Sequence, residues 1–328
     1  MATSSTNIPS AGPVVGSRSF LSRIREGDEI ARLITFLFAA SVVLITVLLV
    51  YQLWTNSVLP RHKFGLHFLV TSVWDPIMEQ YGALPFIYGT LVTSVVALLI
   101  AVPLGIGAAI FLAELAPARI SDTLQFLIDL LAAVPSVIYG LLGVFIIVPL
   151  MRTVIYPALN HPLGFLPIFK GPSYGVGFLT AGMVLAIMVI PYIISVSREV
   201  LLSVPRDQRE AALALGSTRW ESTWQVVVPF AKTGIMGSIF LAMARALGET
   251  MAVTMVIGNS PRISASLFAP GDSIASVIAN QFTEATDDLY LQSLIGLGLV
   301  LFLLTFILNG LARLLIVVTT QKGSGVAT

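Results

Sequence analysis

Two charges stand in a stretch that is otherwise apolar or small. Arg245 and Glu249 lie about midway between Gly234 and Gly258. A charged side chain at membrane depth costs about 2.5–3.5 kcal/mol on insertion scales, so such residues face a bundle interior or a water-filled path and are functional candidates by default. A guanidinium stays protonated in a protein and offers a planar fork of donors suited to a tetrahedral oxyanion, which makes Arg245 a candidate anion carrier. Glu249 is one helical turn away and can pair with it; a purely structural ion pair is the rival explanation. At about 100° per residue, Gly234, Ser238, Ala242, Arg245, Glu249 and Ala252 share one small and charged stripe of a helix, and Phe240, Met243, Leu247, Met251 and Met255 share the bulky opposite face. The small stripe suits a path or a close helix interface.

Other chemistries find no residues. The chain has no cysteine, which removes disulfides, thiol catalysis, iron–sulfur clusters and thiolate zinc sites. His62, His67 and His161 have no ligand spacing among them, so no metal site is expected. There is no Gly-x-x-x-x-Gly-Lys-Ser/Thr and no Gly-Lys dipeptide, so this chain cannot cradle ATP phosphates in the usual way. Gly105-x-Gly107-x-x-Ile110 lacks the third glycine of a dinucleotide fingerprint and follows no strand. A lipid-modifying enzyme would need clustered His, Asp and Glu near an interface, where only Asp129 stands. No catalytic residue is assigned. A net charge of +1 gives no argument for nucleic acid.

The elements that must position Arg245 are membrane helices. Of the 328 residues, 56% are hydrophobic and 11% charged, and the mean hydropathy is +0.92, which marks an all-α, polytopic membrane protein in contact with lipid. Spanning the hydrocarbon takes roughly 20 apolar residues. Six such runs occur, at about 31–53, 88–113, 125–151, 177–196, 234–258 and 292–318. The first is too long for a signal-peptide core and lacks a small-residue cleavage site, so it is expected to be retained. The resulting organisation is a polar N-terminal tail at 1–30, a first helix and outer loop at 31–87, a core at 88–318 and a C-terminal tail at 319–328.

Six spans put both termini on one side. Arg18, Arg23, Arg25, Arg32, Arg119, Arg198, Arg206, Arg209, Arg219, Lys232, Arg313 and Lys322 flank one side of this arrangement, against Arg61, Lys63, Arg152, Lys170 and Arg262 on the other. The positive-inside rule then places both termini in the cytoplasm. The outer connections, about 54–87, 152–176 and 259–291, are long enough to be functional. Within the last, Ser273 to Phe282 alternates small polar and apolar residues at helical spacing and predicts a short helix at the interface or dipping into the membrane, with a solvated loop as the alternative. Pro103, Pro135 and Pro191 punctuate the spans, together with Gly105, Gly107, Gly140 and Gly143.

The longest cytoplasmic connection, about 197–232, predicts two short helices within 203–228. Ser203 can cap the first, Pro205 suits its opening turn and Gly216 supplies its left-handed stop. Thr218 and Glu221 form a capping box for the second, which Pro229 ends. Between them the chain reads Glu210-Ala211-Ala212, three residues, Gly216, nine residues, then Val226-Val227-Val228-Pro229. That spacing resembles the cytoplasmic coupling motif of ABC importer permeases, with Val226 and Val228 in place of the usual Ile and Leu. Small alanines let a helix backbone press into a partner's groove, with Glu210, Arg206 and Arg209 as polar contacts at its rim.

The phrase from Arg245 to Val253, Arg-Ala-Leu-Gly-Glu-Thr-Met-Ala-Val, resembles the fifth-span signature of phosphate-specific ABC transporter permeases of the PstC type. Glu114-Leu-Ala-Pro117 with Arg119, Ala133-Val-Pro-Ser-Val-Ile-Tyr-Gly140 and Pro191-Tyr-Ile-Ile-Ser-Val-Ser-Arg-Glu199 support it, and the similarity runs from roughly Tyr88 to the C-terminus. The partner permease of such systems continues Gly-Glu-Thr with Ala-Pro, and sulfate and molybdate permeases follow Gly-Glu with Phe-Gly. The resemblance implies an ABC importer type I permease fold and one half of a heterodimeric path in the bacterial inner membrane. It implies a second permease subunit, a cytoplasmic ATPase dimer that binds the ATP and Mg2+, an extracytoplasmic phosphate-binding protein, and no cofactor in this chain. It places Arg245, Glu249 and Thr250 on the phosphate path, and Glu210, Ala211, Ala212, Gly216 and Pro229 in coupling to the ATPase. Arg245 would offset phosphate charge, and Glu249 would hold the guanidinium while the path is empty. Permeases for sulfate or molybdate, the partner phosphate permease, a passive anion channel and a membrane-embedded enzyme are the alternatives.

Overall fold

A computed structural model describes residues 28–324 of the chain. Residues 1–27 of the expected N-terminal tail, with Arg18, Arg23 and Arg25, lie outside the described residues, as do residues 325–328 of the expected C-terminal tail. The described residues hold six helices long and apolar enough to cross a membrane, as the sequence predicts.

The chain divides into two compact units at Gln52 and Leu53. The first holds all but the last three residues of α1 (Asp28–Thr55), a nearly uninterrupted apolar run. The second begins with α2 (Val58–Phe64), α3 (His67–Val70) and a two-residue antiparallel ribbon, β1 (Trp74–Asp75) with β2 (Gln80–Tyr81). An aromatic cluster holds this segment: Trp74 meets Tyr81 and Phe86 edge-on at 4.9 and 5.0 Å, and Tyr290 stacks on Tyr81 at 5.6 Å. Burial there pushes the Tyr81 phenol up to about 12.

The membrane core follows as α4 (Leu84–Leu115), α5 (Ala118–Ala132), α6 (Ser136–Leu163), α7 (Phe178–Leu202), α8 (Arg206–Ala214), α9 (Arg219–Leu247), α10 (Met251–Ile257), α11 (Ile274–Gln281) and α12 (Asp288–Ser324). Helix α7 is the centre, with most of its length buried and its longest contacts to α4 and α9.

The third span differs from the sequence expectation. It runs from Ser136 to Leu163 rather than 125–151, because Pro135 at φ −58°, ψ 141° breaks the apolar run into two helices. The stretch before it is the amphipathic α5, whose Ser121, Gln125 and Asp129 recur on one face and bond to α7: Ser195 Oγ donates to Asp129, Gln125 Nε2 donates to Ser195 Oγ at 2.7 Å, and Arg198 Nη2 donates to Ser121 Oγ at 2.9 Å. Arg152 therefore belongs to the span, in a π turn at Met151–Ile155, and not to the following connection.

The segment before α12 does form the expected short helix. Ser273 caps α11 by accepting from the Ser276 N–H at 3.2 Å. Ile274, Ala275, Ser276 and Val277 are buried, so α11 packs into the protein instead of lying in solvent. Gly89 makes this possible, since a Cβ there would stand 1.8 Å from the Asp272 carbonyl oxygen.

Candidate functional site

The fifth span is a broken helix, which corrects the expected continuous run over 234–258. α9 ends at Leu247, α10 starts at Met251, and Gly248, Glu249 and Thr250 lie between. Glycine weakens a helix by about 1 kcal/mol relative to alanine, and β-branched Thr250 adds little to hold it. The Glu249 N–H reaches the Ala246 carbonyl only at 3.5 Å, and the ladder restarts with the Thr254 N–H on the Thr250 carbonyl at 3.0 Å. The small stripe therefore extends only from Gly234 to Arg245. Along it Ser238 and Ala242 are buried, Ser238 Oγ lies 2.7 Å from Ser197 Oγ of α7, and Gly234 lets α9 close on Val200.

Arg245 occupies the last turn of α9, where a cation meets the negative end of the helix dipole. Its guanidinium carbon stands 4.2 Å from the centroid of the Tyr192 ring, within cation–π range. Its Nε is buried and has no hydrogen-bond partner among the described residues. The neighbouring phenols are fixed by the end of α5: Tyr192 donates to the Ala132 carbonyl at 3.1 Å and Tyr139 to the Leu131 carbonyl at 2.7 Å. Both carbonyls belong to the last turn of α5, and the Leu131 carbonyl also accepts from the Val134 N–H at 3.1 Å.

Glu249 is engaged at the other lip of the break. Its Oε1 accepts from the Ala252 N–H at 3.2 Å, so the carboxylate caps α10. Thr250 Oγ1 donates to the Gly248 carbonyl at 3.4 Å. No Arg245–Glu249 ion pair forms among the described residues; each charge serves its own helix end. Gly140 of α6 backs this lip closely, since a Cβ there would meet Met255 Sδ at 2.5 Å and Ala252 Cα at 3.2 Å. A cation with an unused buried N–H, set at a helix break between spans, is suited to receive a passing oxyanion.

The connection after α7 has the expected capping box: Thr218 Oγ1 accepts from the Glu221 N–H at 3.3 Å and the Thr218 N–H donates to Glu221 at 2.8 Å. Gly216, at φ +92°, makes the left-handed stop. Two local expectations are corrected. Ser203 does not cap α8, because its hydroxyl donates back to the Val200 carbonyl and Pro205 stands at the cap position. Pro229 does not end the second helix. A π turn at Thr223–Val227 widens the backbone just before it, which relieves the clash of the proline ring with the preceding turn, and α9 continues to Leu247.

On α8, Glu210, Ala211 and Arg206 are exposed and Ala212 is buried inward. Leu213, Leu215, Trp220 and Trp224 are exposed nearby, with Leu215 at 88%, and a cleft of about 350 Å³ lies between Ala113, Glu114, Leu202, Arg206, Arg209 and Glu210. An apolar patch with a charged rim beside a cleft has the character of a docking surface. Arg209, expected at the rim, lines the cleft instead of the exposed face of α8. It turns inward to Glu114 at 2.8 Å.

The tyrosines beside Arg245, and Glu114 as the partner of Arg209, have functional positions that the sequence pattern alone does not mark. Tyr139, Tyr192 and Glu114 all lie inside the motif segments quoted above, but an aromatic in a span reads as packing until a cation is seen over its face.

Residues 101–316 match the family model described as binding-protein-dependent transport system inner membrane component. The chain is 47% identical over 281 residues to the phosphate transport system permease protein PstC of Mesorhizobium japonicum, covering 84% of this chain and 86% of that protein. Against PstC of Haemophilus influenzae it is 48% identical over 286 residues, 86% of this chain and 90% of the relative. Among solved structures, the inward-facing MetNI methionine ABC transporter superposes with a TM-score of 0.55 at 15% identity, covering 74% of this chain and 98% of that one. A bacterial ABC transporter involved in the import of the acidic polysaccharide alginate gives 0.57 at 16% identity, covering 89% and 98%. These two share the fold of ABC importer type I permeases. The chain belongs to the family of binding-protein-dependent transport system inner membrane components, in the branch of the PstC-type phosphate transport system permease proteins.

Proposed function

We propose that the chain is the transmembrane permease subunit of an ATP-driven inorganic phosphate importer and forms half of the translocation path by alternating access. The observation that carries this reading is the broken fifth span, which holds Arg245 between helices with its Nε buried and without a hydrogen-bond partner among the described residues. The relatives' phosphate transport names and the oxyanion chemistry of a guanidinium point the same way. A second permease subunit completes the path, and an extracytoplasmic binding protein delivers phosphate. A cytoplasmic ATPase dimer docks on α8 and its neighbours, binds ATP and Mg2+, and supplies the work; the chain itself carries no cofactor and no catalytic group. Both termini lie in the cytoplasm of a bacterial inner-membrane protein, as the cation bias requires.

Helix α8 moves with the ATPase and rocks the spans around Arg245, which faces phosphate in transit while Glu249 holds the second lip of the break. The test is reconstitution of the chain with an ATPase and a second permease of a phosphate import system, with purified binding protein outside and ATP inside the vesicles. Saturable phosphate uptake that excess sulfate and molybdate leave intact is expected. Equal displacement by those anions would reassign the substrate, and flux without ATP would mark a passive channel.

A further inference from the structure

The cytoplasmic end of the core contains a tie on the wall of the cleft beside α8. Arg209 of α8 donates from Nε to Glu114 Oε1 and Oε2, both at 3.2 Å, and from Nη2 to Oε1 at 2.8 Å. Nη2 also donates to the Leu201 carbonyl at 2.7 Å, and Nη1 donates to the Val204 carbonyl at 2.5 Å. Four of the five N–H groups of the guanidinium are thus committed. The two side chains are only 20% and 11% exposed, so the pair is shielded from water and salt. Glu114 sits in the π turn Phe111–Leu115 that closes α4, and Leu201 lies at the end of α7. One side chain therefore joins three elements.

The geometry matters because α8 is short and hinged at both ends. It spans nine residues between the Ser203–Pro205 turn and the left-handed Gly216, whose surroundings are open. A push on its exposed face would be absorbed in those junctions unless its middle were held. Helix α7, in turn, carries Tyr192 under Arg245 and Ser197 against Ser238 of α9. We propose that Arg209, through Glu114 and the α7 carbonyls, is the positioning residue that converts displacement of α8 into displacement of α4 and α7. The proposal rests on the reading of α8 as the ATPase-docking helix.

The experiment uses the reconstituted complex and reads phosphate imported per ATP hydrolysed, with copurification of the ATPase measured alongside. Arg209→Met and Glu114→Gln should each assemble and hydrolyse ATP, with uptake per ATP falling several-fold. Arg209→Lys keeps the charge but not the fork, and should fall in between. The exchange Glu114→Arg with Arg209→Glu restores an ion pair but cannot donate to the Leu201 and Val204 carbonyls, so it should recover only part of the ratio. An unchanged ratio in Arg209→Met overturns the proposal. So does loss of assembly in both single variants, which would make the tie purely structural. Failure of the docking reading is seen separately, in an Ala211→Trp variant that keeps its ATPase and its uptake.

Discussion

Replacing Arg245 with glutamine should abolish most transport while leaving the complex assembled, and the geometry sets both magnitudes. A unit charge facing an oxyanion at about 4 Å with an effective dielectric of about 20 contributes about 4 kcal/mol. Arg245 is only half-buried, so water screens part of this. A loss of about 1.4–2.8 kcal/mol, or roughly one to two orders of magnitude in uptake, is the expectation. The folding side nearly cancels. Removal of the guanidinium sacrifices a cation–π contact of about 1–2 kcal/mol on Tyr192, but it also removes a buried N–H without a partner, which costs about 1–3 kcal/mol to keep. Glu249 is not stranded by the change, because its carboxylate remains on the Ala252 N–H. A double-mutant cycle with Glu249→Gln should therefore show little coupling in assembly, and the second change should not rescue uptake. The assay is ATP-driven phosphate uptake in proteoliposomes, normalised to assembled complex. Near-normal uptake by Arg245→Gln, or recovery in the double variant, would refute the oxyanion role.

Reporter fusions after Gln80, Lys170 and Asp288 should report the outside, and fusions after Arg209 and Lys322 the cytoplasm; a mixed pattern would overturn the orientation. Tryptophan at Ala211 should leave the protein inserted but reduce ATPase copurification, because the exposed small face of α8 loses its close approach. Leucine at Gly140 should lower the yield of folded protein through a clash with Met255 and the Ala252 backbone, on the order of 1–3 kcal/mol, measured by detergent melting. Asp272 is buried beside Ser273 and Ser276, and desolvation lifts its carboxyl from 3.8 to about 7 in the folded protein. The folded state therefore binds more protons than the unfolded state between those two values, so stability should fall as pH rises from about 4 through about 7. Asp272→Asn should flatten that decline, and an unchanged pH profile of the melting temperature would reject the assignment.

The sequence by itself determined the class of the protein and marked its candidate site. Apolar run length does not depend on tertiary context, so six spans were countable. Capping chemistry is local, so Thr218, Glu221 and Gly216 were read in their observed roles. The cost of a charge in hydrocarbon singled out Arg245 before any neighbour was known. Tertiary structure decided what local rules leave degenerate. An apolar run cannot say that Pro135 divides it into an amphipathic helix and a span, because both halves satisfy the same hydropathy. Residues 234–258 keep a helical period across Gly248, yet the chain breaks there, because Glu249 finds the Ala252 N–H to cap and Arg245 finds the Tyr192 ring. Pro229 reads as a terminator, but a single widened turn before it lets the helix continue. The Glu114–Arg209 tie joins residues 95 positions apart, a separation over which no pattern in the chain carries information and only packing brings the charges together.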